Sequence, residues 1–322
     1  MSKIRVGVLR GGPSSEYDVS LKTGGSVLKN MPGKFQTQDI LITKDGVWHM
    51  AGVRREPHEI FPHVDVVFNA LHGEYGEDGK VQQLLEAHSI PFTGSGAFAS
   101  AIAMNKVLAK EWFLNNGLKT PLHLVVQRGE DRPGRVIEIF KTFPHPSIVK
   151  PAGTGSSVGV NIAYSIADLG RALKEALKYS DKALIEEFIP GREATCGVIE
   201  NWRGMPVSAL LPIEIVKPSE SKFFDYQAKY GGGSKEICPG NFGREETALI
   251  AELAVKAHKA LGLRHYSRSD FIVTPRRGIY ILETNTLPGL TEESLFPKAL
   301  HAVGSNLPEF LDHLIMLALE KK

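Results

Sequence analysis

Three features predict an α/β protein of more than one domain. Strand-like and helix-like segments alternate over the first third, the 322 residues exceed what one hydrophobic core usually serves, and a polar hairpin closes the chemistry near the C-terminal end. In order, IRVGVLR (4–10) reads as a strand, VSLKTGGSVLKNM (19–31) as a helix, TQDILIT (37–43) and VDVVFNAL (64–71) as strands, KVQQLLEAH (80–88) as a helix and IPFTGS (90–95) as a short strand. This spacing predicts an open, mostly parallel sheet whose ligands gather at the carboxyl ends of the strands, where GGPSSE (11–16) and HGEYGEDG (72–79) stand.

From Ala97 the pattern changes. Residues 97–117 read as one long helix stopped by Gly117, with Pro121 beyond it. Strands follow at LHLVVQR (122–128) and PSIVK (146–150), then the glycine-rich loop GTGSSVG (153–159), a helix over 167–180 and the strand KALIEEFI (182–189). The last third holds strands over 192–200 and 205–216, a polar excursion over 219–240 of the kind that serves as a lid, a helix over 244–262, the hairpin and a closing helix.

Composition narrows the function classes. Lys+Arg 38 against Asp+Glu 36 gives a net charge of +2 with no long run of one sign, so nucleic acid is not an expected partner. Cys196 and Cys238 lack CxxC spacing, which fits a reducing cytoplasm. The N-terminal apolar run meets glycines almost at once and reads as a buried strand rather than a signal peptide, and no apolar stretch reaches membrane-spanning length. The glycine loop lacks the Lys-Ser or Lys-Thr of a Walker A motif, and GxGxxG is absent after the first strand. P-loop NTPases are thereby excluded and a nicotinamide dehydrogenase is weakly supported.

The hairpin SRSDFIV–TPRRG–IYILETN (267–285) is the chemical centre. With a four-residue loop and Thr274 facing Ile279, Asp270 falls opposite Glu283 and Arg268 opposite Asn285, all on one sheet face. Two carboxylates and an amide oxygen suit a hard cation shared with phosphates, and the guanidinium suits an anion. Lys150 at a strand end, with Ser156 and Ser157 in the glycine loop, can meet the same anion; alone, the segment reads equally well as an exposed turn. Lys106 taken alone reads as a solvated helix residue. Glu186, Glu187 and Glu193 flank a strand edge on which a nucleotide base and ribose could lie, or they solvate its end. Glu16, at the first strand-to-helix crossing, could hold a substrate ammonium group, with His72 orienting a carboxylate.

Taken in order, GGPSSEYDVSLKTG, HGEYGEDG, FTGSG, MNK, IVKPAGTGSSVGV, EEFIPGREAT, FDYQAKY, YSRSDF and LETNTLPGLTEESL resemble the D-alanine–D-alanine ligases of the ATP-grasp superfamily over essentially the whole chain. The resemblance implies a three-domain ATP-grasp fold: a Rossmann-like N-terminal domain (1–96), a central ATP-grasp subdomain (97–192) and a C-terminal subdomain with metal site and mobile lid (193–322). It implies that ATP phosphorylates the carboxylate of one D-alanine and that the amino group of a second attacks the acyl phosphate, for cell-wall precursor synthesis.

By the same resemblance, Asp270, Glu283 and Asn285 bind two magnesium (or manganese) ions. Lys106, Lys150 and Lys229 contact the ATP phosphates, with Ser157 beside them. Glu186, Glu187, Phe188 and Ile189 surround adenine, Phe188 standing where some members carry tryptophan, and Glu193 takes the ribose. Arg268 and the Gly289 amide stabilise the tetrahedral intermediate. Glu16, Val19 and His72 hold the first D-alanine, Ser294 and Leu295 cradle the second, and Ser156 and Tyr230 link Glu16 to the closed lid. A homodimer is the family's usual state. The alternatives are a D-alanyl-D-lactate or D-alanyl-D-serine ligase, a non-catalytic nucleotide-binding regulator, and a dehydrogenase.

Overall fold

The computed structural model describes residues 3–153, 158–216 and 235–320. Its first sheet has the order β4-β3-β2-β1-β5, with β1 (Arg5–Gly11), β2 (Gln36–Ile42), β3 (Trp48–Met50), β4 (Val53–Arg54) and β5 (Val66–Asn69). Central β1 pairs in parallel with β2 and β5, so its two faces are both covered and Val6, Val8 and Leu9 are fully buried. The sheet turns antiparallel only at its β3–β4 edge, which the strand assignments from sequence did not include. The short strand expected at 90–95 amounts to one bridge between Val67 and Phe92.

Helix α1 (Tyr17–Asn30) follows β1 through Gly11, whose φ of 88° and closeness to the Ile42 carbonyl leave no room for a Cβ. The short α2 (Pro57–Ile60) and then α3 (Lys80–Ala87) complete this region.

The single helix expected over 97–117 is two helices, α4 (Ala97–Met104) and α5 (Lys106–Asn115). Asn105 leaves the helical region at φ −84°, ψ 101°, and its side-chain oxygen accepts from the amides of Val107 and Leu108. Such a local bond gives the backbone an alternative to continuing the first helix. Both helices pack through Ala99, Ile102, Ala109 and Phe113 onto the third sheet.

The second sheet is antiparallel, in the order β6-β9-β7-β8, from β6 (His123–Gln127), β7 (Ser147–Pro151), β8 (Asn161–Ala163) and β9 (Lys182–Glu187). One face is covered by α6 (Pro133–Thr142) and α7 (Ile166–Tyr179), whose Val136, Ile139, Leu169 and Leu173 join its core.

The third sheet runs β13-β12-β10-β14-β15, with β11 also on β10. Its strands are β10 (Arg192–Trp202), β11 (Met205–Ala209), β12 (Ile213–Val216), β13 (Lys235–Ile237), β14 (Tyr266–Thr274) and β15 (Gly278–Asn285). The one strand expected over 205–216 is thus two, broken before Pro212, which cannot donate to a ladder. Helix α8 (Arg244–Ala260) backs this sheet through Ile250, Ala254 and Ala257. The closing helix is likewise two, α9 (Leu295–Ala302) and α10 (Leu307–Leu319), separated by Gly304 at φ 70°. Helix α10 returns to the first sheet, where Phe310, Leu311, Leu314 and Ile315 share one core with Val6, Val8, Val66 and Phe68. No helix among the described residues is long and apolar enough to cross a membrane.

Candidate active site

The β14–β15 hairpin reaches the expected pairing by a different route. Its loop has three residues, Pro275 to Arg277, because Thr274 pairs with Gly278; Val273, Ile272 and Phe271 then face Ile279, Tyr280 and Ile281. A β-bulge follows, in which Leu282 has no partner, and beyond it Asp270 faces Glu283 and Arg268 faces Asn285. An extra residue in one strand reverses the parity of everything after it. Tyr280 and Leu282 pack with Ile189 and Ile272, while Ile279 and Ile281 enter the opposite core. The bulge therefore joins an apolar wall to a polar one on the same face.

Asp270 is the hub of the polar part. Arg268 grips it with Nε and Nη2, each at 3.0 Å; Thr195 Oγ1 donates to Oδ1 at 2.5 Å and Asn285 Nδ2 to Oδ2 at 3.1 Å. Burial works against the Arg268 charge, but Asp270, Glu283 and Glu77 outweigh it and hold its pKa above the ordinary value. Among the described residues, no group of three His, Cys, Asp or Glu side chains is gathered at metal-ligand distance. The donor set still fits magnesium, since two carboxylates and an amide share one face and cations already lie against both acids. A metal there would need the Asn285 amide turned to present its oxygen.

Lysines approach from the side of the second sheet. Lys106, the first residue of α5, places Nζ 3.3 Å from Glu283 Oε2. Its amide donates to Ala152 O at 3.0 Å, which ties α5 to the end of β7. One helical turn on, Lys110 Nζ lies 2.8 Å from Glu186 Oε1, and Lys150 Nζ lies 2.9 Å from Glu186 Oε2. Lys150 and Glu186 are diagonal neighbours on one face of the β7–β9 pair, since Ile148 faces Glu186. Burial alone would raise the Glu186 pKa; Lys110 and Lys150 overcome it and hold the carboxyl at about 2. Burial pushes Lys110 down to about 8, with Glu186 opposing.

The first sheet supplies the facing wall. Glu16 stands at the N-cap of α1, and Val19 follows one turn later. His72 Nε2 bonds to Thr23 Oγ1 at 2.8 Å, and burial, helped by Arg268, lowers its pKa to about 4, so the ring is neutral near pH 7. Glu77 accepts from the amides of Gly73 (2.8 Å) and Leu287 (3.2 Å), linking this wall to the end of the hairpin. Burial first, and Glu16 second, raise its pKa to about 7.

Apart from Lys110 and Thr195, which lie behind it, these groups open onto one cleft of about 1140 Å³, larger than a single drug-sized ligand needs. Glu16, Val19, His72, Lys106, Lys150, Glu186, Glu187, Phe188, Ile189, Glu193, Arg268, Asp270, Glu283, Asn285, Gly289, Ser294 and Leu295 all line it. Glu187 is engaged at its rim by Arg277 at 2.8 Å and by the Leu122 amide at 3.1 Å. Ser294 precedes α9 at its N-cap position, its hydroxyl bonding not to the helix but to Thr291 Oγ1 at 2.7 Å, close enough to Gly289 to leave little space for a side chain there. Ser156, Ser157, Lys229 and Tyr230 lie outside the described residues. The sequence reading missed Lys110, Glu77, Thr23 and Thr195. Glu77 lies within HGEYGEDG, whereas nothing around Lys110 in the sequence sets it apart from a solvated helix lysine.

Comparison with known proteins places this cleft in a family. The family model described as "D-ala D-ala ligase C-terminus" matches residues 113–316, and "D-ala D-ala ligase N-terminus" matches residues 49–95. A D-alanine–D-alanine ligase of Syntrophobacter fumaroxidans is 40% identical over 319 residues, covering 99% of this chain and 98% of its own. One from Geobacter sulfurreducens is 42% identical, covering 98% of this chain and 94% of its own. Among solved structures, the VanG D-Ala:D-Ser ligase of Enterococcus faecalis superposes with a TM-score of 0.86 at 30% identity, covering 98% of this chain and all (100%) of that one. The D-alanine–D-alanine ligase of Coxiella burnetii gives 0.85 at 26% identity, covering 99% of this chain and 94% of that one. Sequence, fold and full-length coverage agree: the chain belongs to the D-alanine–D-alanine ligase family.

Proposed function

We propose that this chain joins two D-alanine molecules at the expense of ATP, releasing D-alanyl-D-alanine, ADP and phosphate for cell-wall precursor synthesis. The observation that carries the reading is the meeting, in one cleft, of a cationic wall (Lys106, Lys150), an acidic hairpin (Asp270, Glu283, Asn285) and an amino-acid wall (Glu16, His72). A carboxylate and a triphosphate repel by roughly 4 kcal/mol per charge pair about 4 Å apart at an effective dielectric near 20, so cations must cancel that term before transfer.

Lys106 and Lys150 bind the phosphates, and Glu186 to Ile189, Phe188 and Glu193 hold the base and ribose. Asp270, Glu283 and Asn285 would hold two magnesium or manganese ions, which supply charge neutralisation between ATP and the acceptor carboxylate. Glu16 takes the ammonium of the first D-alanine, with Val19 beside it and neutral His72 near its carboxylate. That carboxylate attacks the γ-phosphorus and ADP leaves. The amine of the second D-alanine, seated by Ser294 and Leu295, then attacks the acyl carbon. Arg268 and the Gly289 amide stabilise the oxyanion, phosphate departs and the amine gives up its proton. The Ser156–Tyr230 link to Glu16, Lys229 on the phosphate, the domain limits at 97 and 193, a homodimer and a cytoplasmic location belong to the same proposal.

Phosphate release with ATP, magnesium and D-alanine tests it. Release that requires D-lactate or an L-amino acid would overturn the substrate assignment. The likeness to a D-Ala:D-Ser ligase favours a second reading in which D-serine is the acceptor. Mass spectrometry of products formed with D-alanine, D-serine and D-lactate in competition separates the two.

A further inference from the structure

Lys110 has no contact with the cleft, yet its side chain is one of the largest fully buried ones in the protein, at 1% exposure. Burying an ammonium costs several kcal/mol unless it is paired and hydrogen-bonded. Here Glu186 Oε1 accepts the pairing at 2.8 Å and Thr120 Oγ1 accepts a hydrogen bond at 2.5 Å. Glu186 is itself 1% exposed and extends its second oxygen to Lys150, which does line the cleft. The three side chains form a row, cation–anion–cation, with a net charge of +1 delivered at its cleft end.

Without Lys110 the row would be a neutral pair: the Glu186 carboxylate would cancel Lys150 alone and draw its ammonium back toward β9. We propose that Lys110 is a positioning residue for the nucleotide phosphates, occupying one oxygen of Glu186 so that Lys150 keeps its charge uncancelled and its ammonium toward the cleft. The inference rests on the reading of the cleft as an ATP site.

The same row makes phosphate binding sensitive to pH. Lys110 faces Glu186 on β9, Lys150 on β7, Glu283 on β15 and His123 on β6, with Lys106 on its own helix. Burial and Lys110 keep His123 below its ordinary value, so it stays neutral in the alkaline range. Burial brings Lys110 down to about 8, so its proton is lost as pH rises through that value and the row falls from +1 to neutral.

Titration calorimetry with ATP and magnesium, without D-alanine, reads this directly. Loss of one unit charge near a phosphate is expected to weaken ATP binding on the order of tenfold. Lys110→Met should show that loss near neutral pH, a matching rise in KM for ATP and a kcat changed far less. The wild type should lose affinity as pH rises through about 8 and beyond, a step absent from the variant. Wild-type binding that Lys110→Met leaves unchanged, or a pH step that persists in the variant, overturns the proposal alone. A wild type that binds no ATP overturns the assignment of the cleft itself. If Lys110→Met does not fold, Lys110→Arg replaces it: tight binding that no longer weakens with rising pH supports the proposal, and an unchanged pH step overturns it.

Discussion

Replacing Glu186 by glutamine should loosen the second sheet far more than an amide-for-acid exchange does at a surface. In the wild type the carboxylate is sealed between two ammonium groups at 2.8 and 2.9 Å. A carboxyl brought from 4.5 to about 2 against the cost of burial is favoured in its charged form by about 3 kcal/mol. Removing one partner of a buried ion pair costs about 3 to 5 kcal/mol, because the stranded charge is left desolvated, which agrees in size. The folded pKa lies below the unfolded one, so this stability is present above about 4.5 and is lost as pH falls toward 2. Hydrogen exchange of the amides in β9, followed by mass spectrometry over residues 182–187, isolates this region from the other two sheets. The variant should exchange there roughly a hundredfold faster at pH 7, with the gap closing in acid. Adding Lys110→Met to Glu186→Gln should recover part of the protection, since one stranded ammonium is then gone. Exchange within about threefold of wild type at pH 7 would refute the charge-row reasoning.

Three other outcomes follow from the cleft. Glu283→Gln should abolish phosphate release while weakening nucleotide binding much less, because charge cancellation matters most during transfer; equal losses in a turnover assay and an ATP titration would count against that role. Chelation of magnesium should stop phosphate release and leave the melting temperature of the nucleotide-free protein unchanged; turnover persisting in excess chelator would remove the metal from the proposal. His72 has its pKa lowered from 6.5 to about 4, so the unfolded chain takes up the proton first as pH falls. Glu77, with its pKa raised to about 7, works in the opposite sense over this range, so the test is the difference: between pH 7 and pH 5 the wild type should lose about 2 kcal/mol relative to His72→Gln, measured by urea unfolding.

The sequence disclosed most of the architecture through periodicity, and its misses have local causes. The alternation of the first third identifies β1, α1, β2, β5 and α3, because a central parallel strand is an unbroken apolar run. The 97–117 segment looks like one helix because Asn105 is tolerable inside a helix and valuable as a cap, and only tertiary context chooses between these. Helix α6 carries Pro133 at its first turn and buries Val136 and Ile139, three residues apart on one face, a pattern that marks a helix start in the sequence itself. In the cleft, the shared face of Arg268, Asp270, Glu283 and Asn285 was legible from alternation, although the assumed loop was one residue too long. The structure compensates at Leu282, and nothing in an apolar run announces which residue will bulge. Lys110 was invisible as a functional residue because a lysine on a helix ordinarily points to solvent, and its burial depends on Glu186, far along the chain.

The packing of α10 on the first sheet bears on how the chain must be made. Val6, Val8 and Phe68 leave the ribosome well before the helix that covers them, whose Phe310 and Leu314 lie roughly 240 residues downstream of Phe68. At about 5–20 residues per second, the sheet waits on the order of tens of seconds with one apolar face uncovered. The wall that carries Glu16 and His72 thus completes its core only once α10 has been made, and newly made chains are most exposed to aggregation and to chaperone capture during that interval.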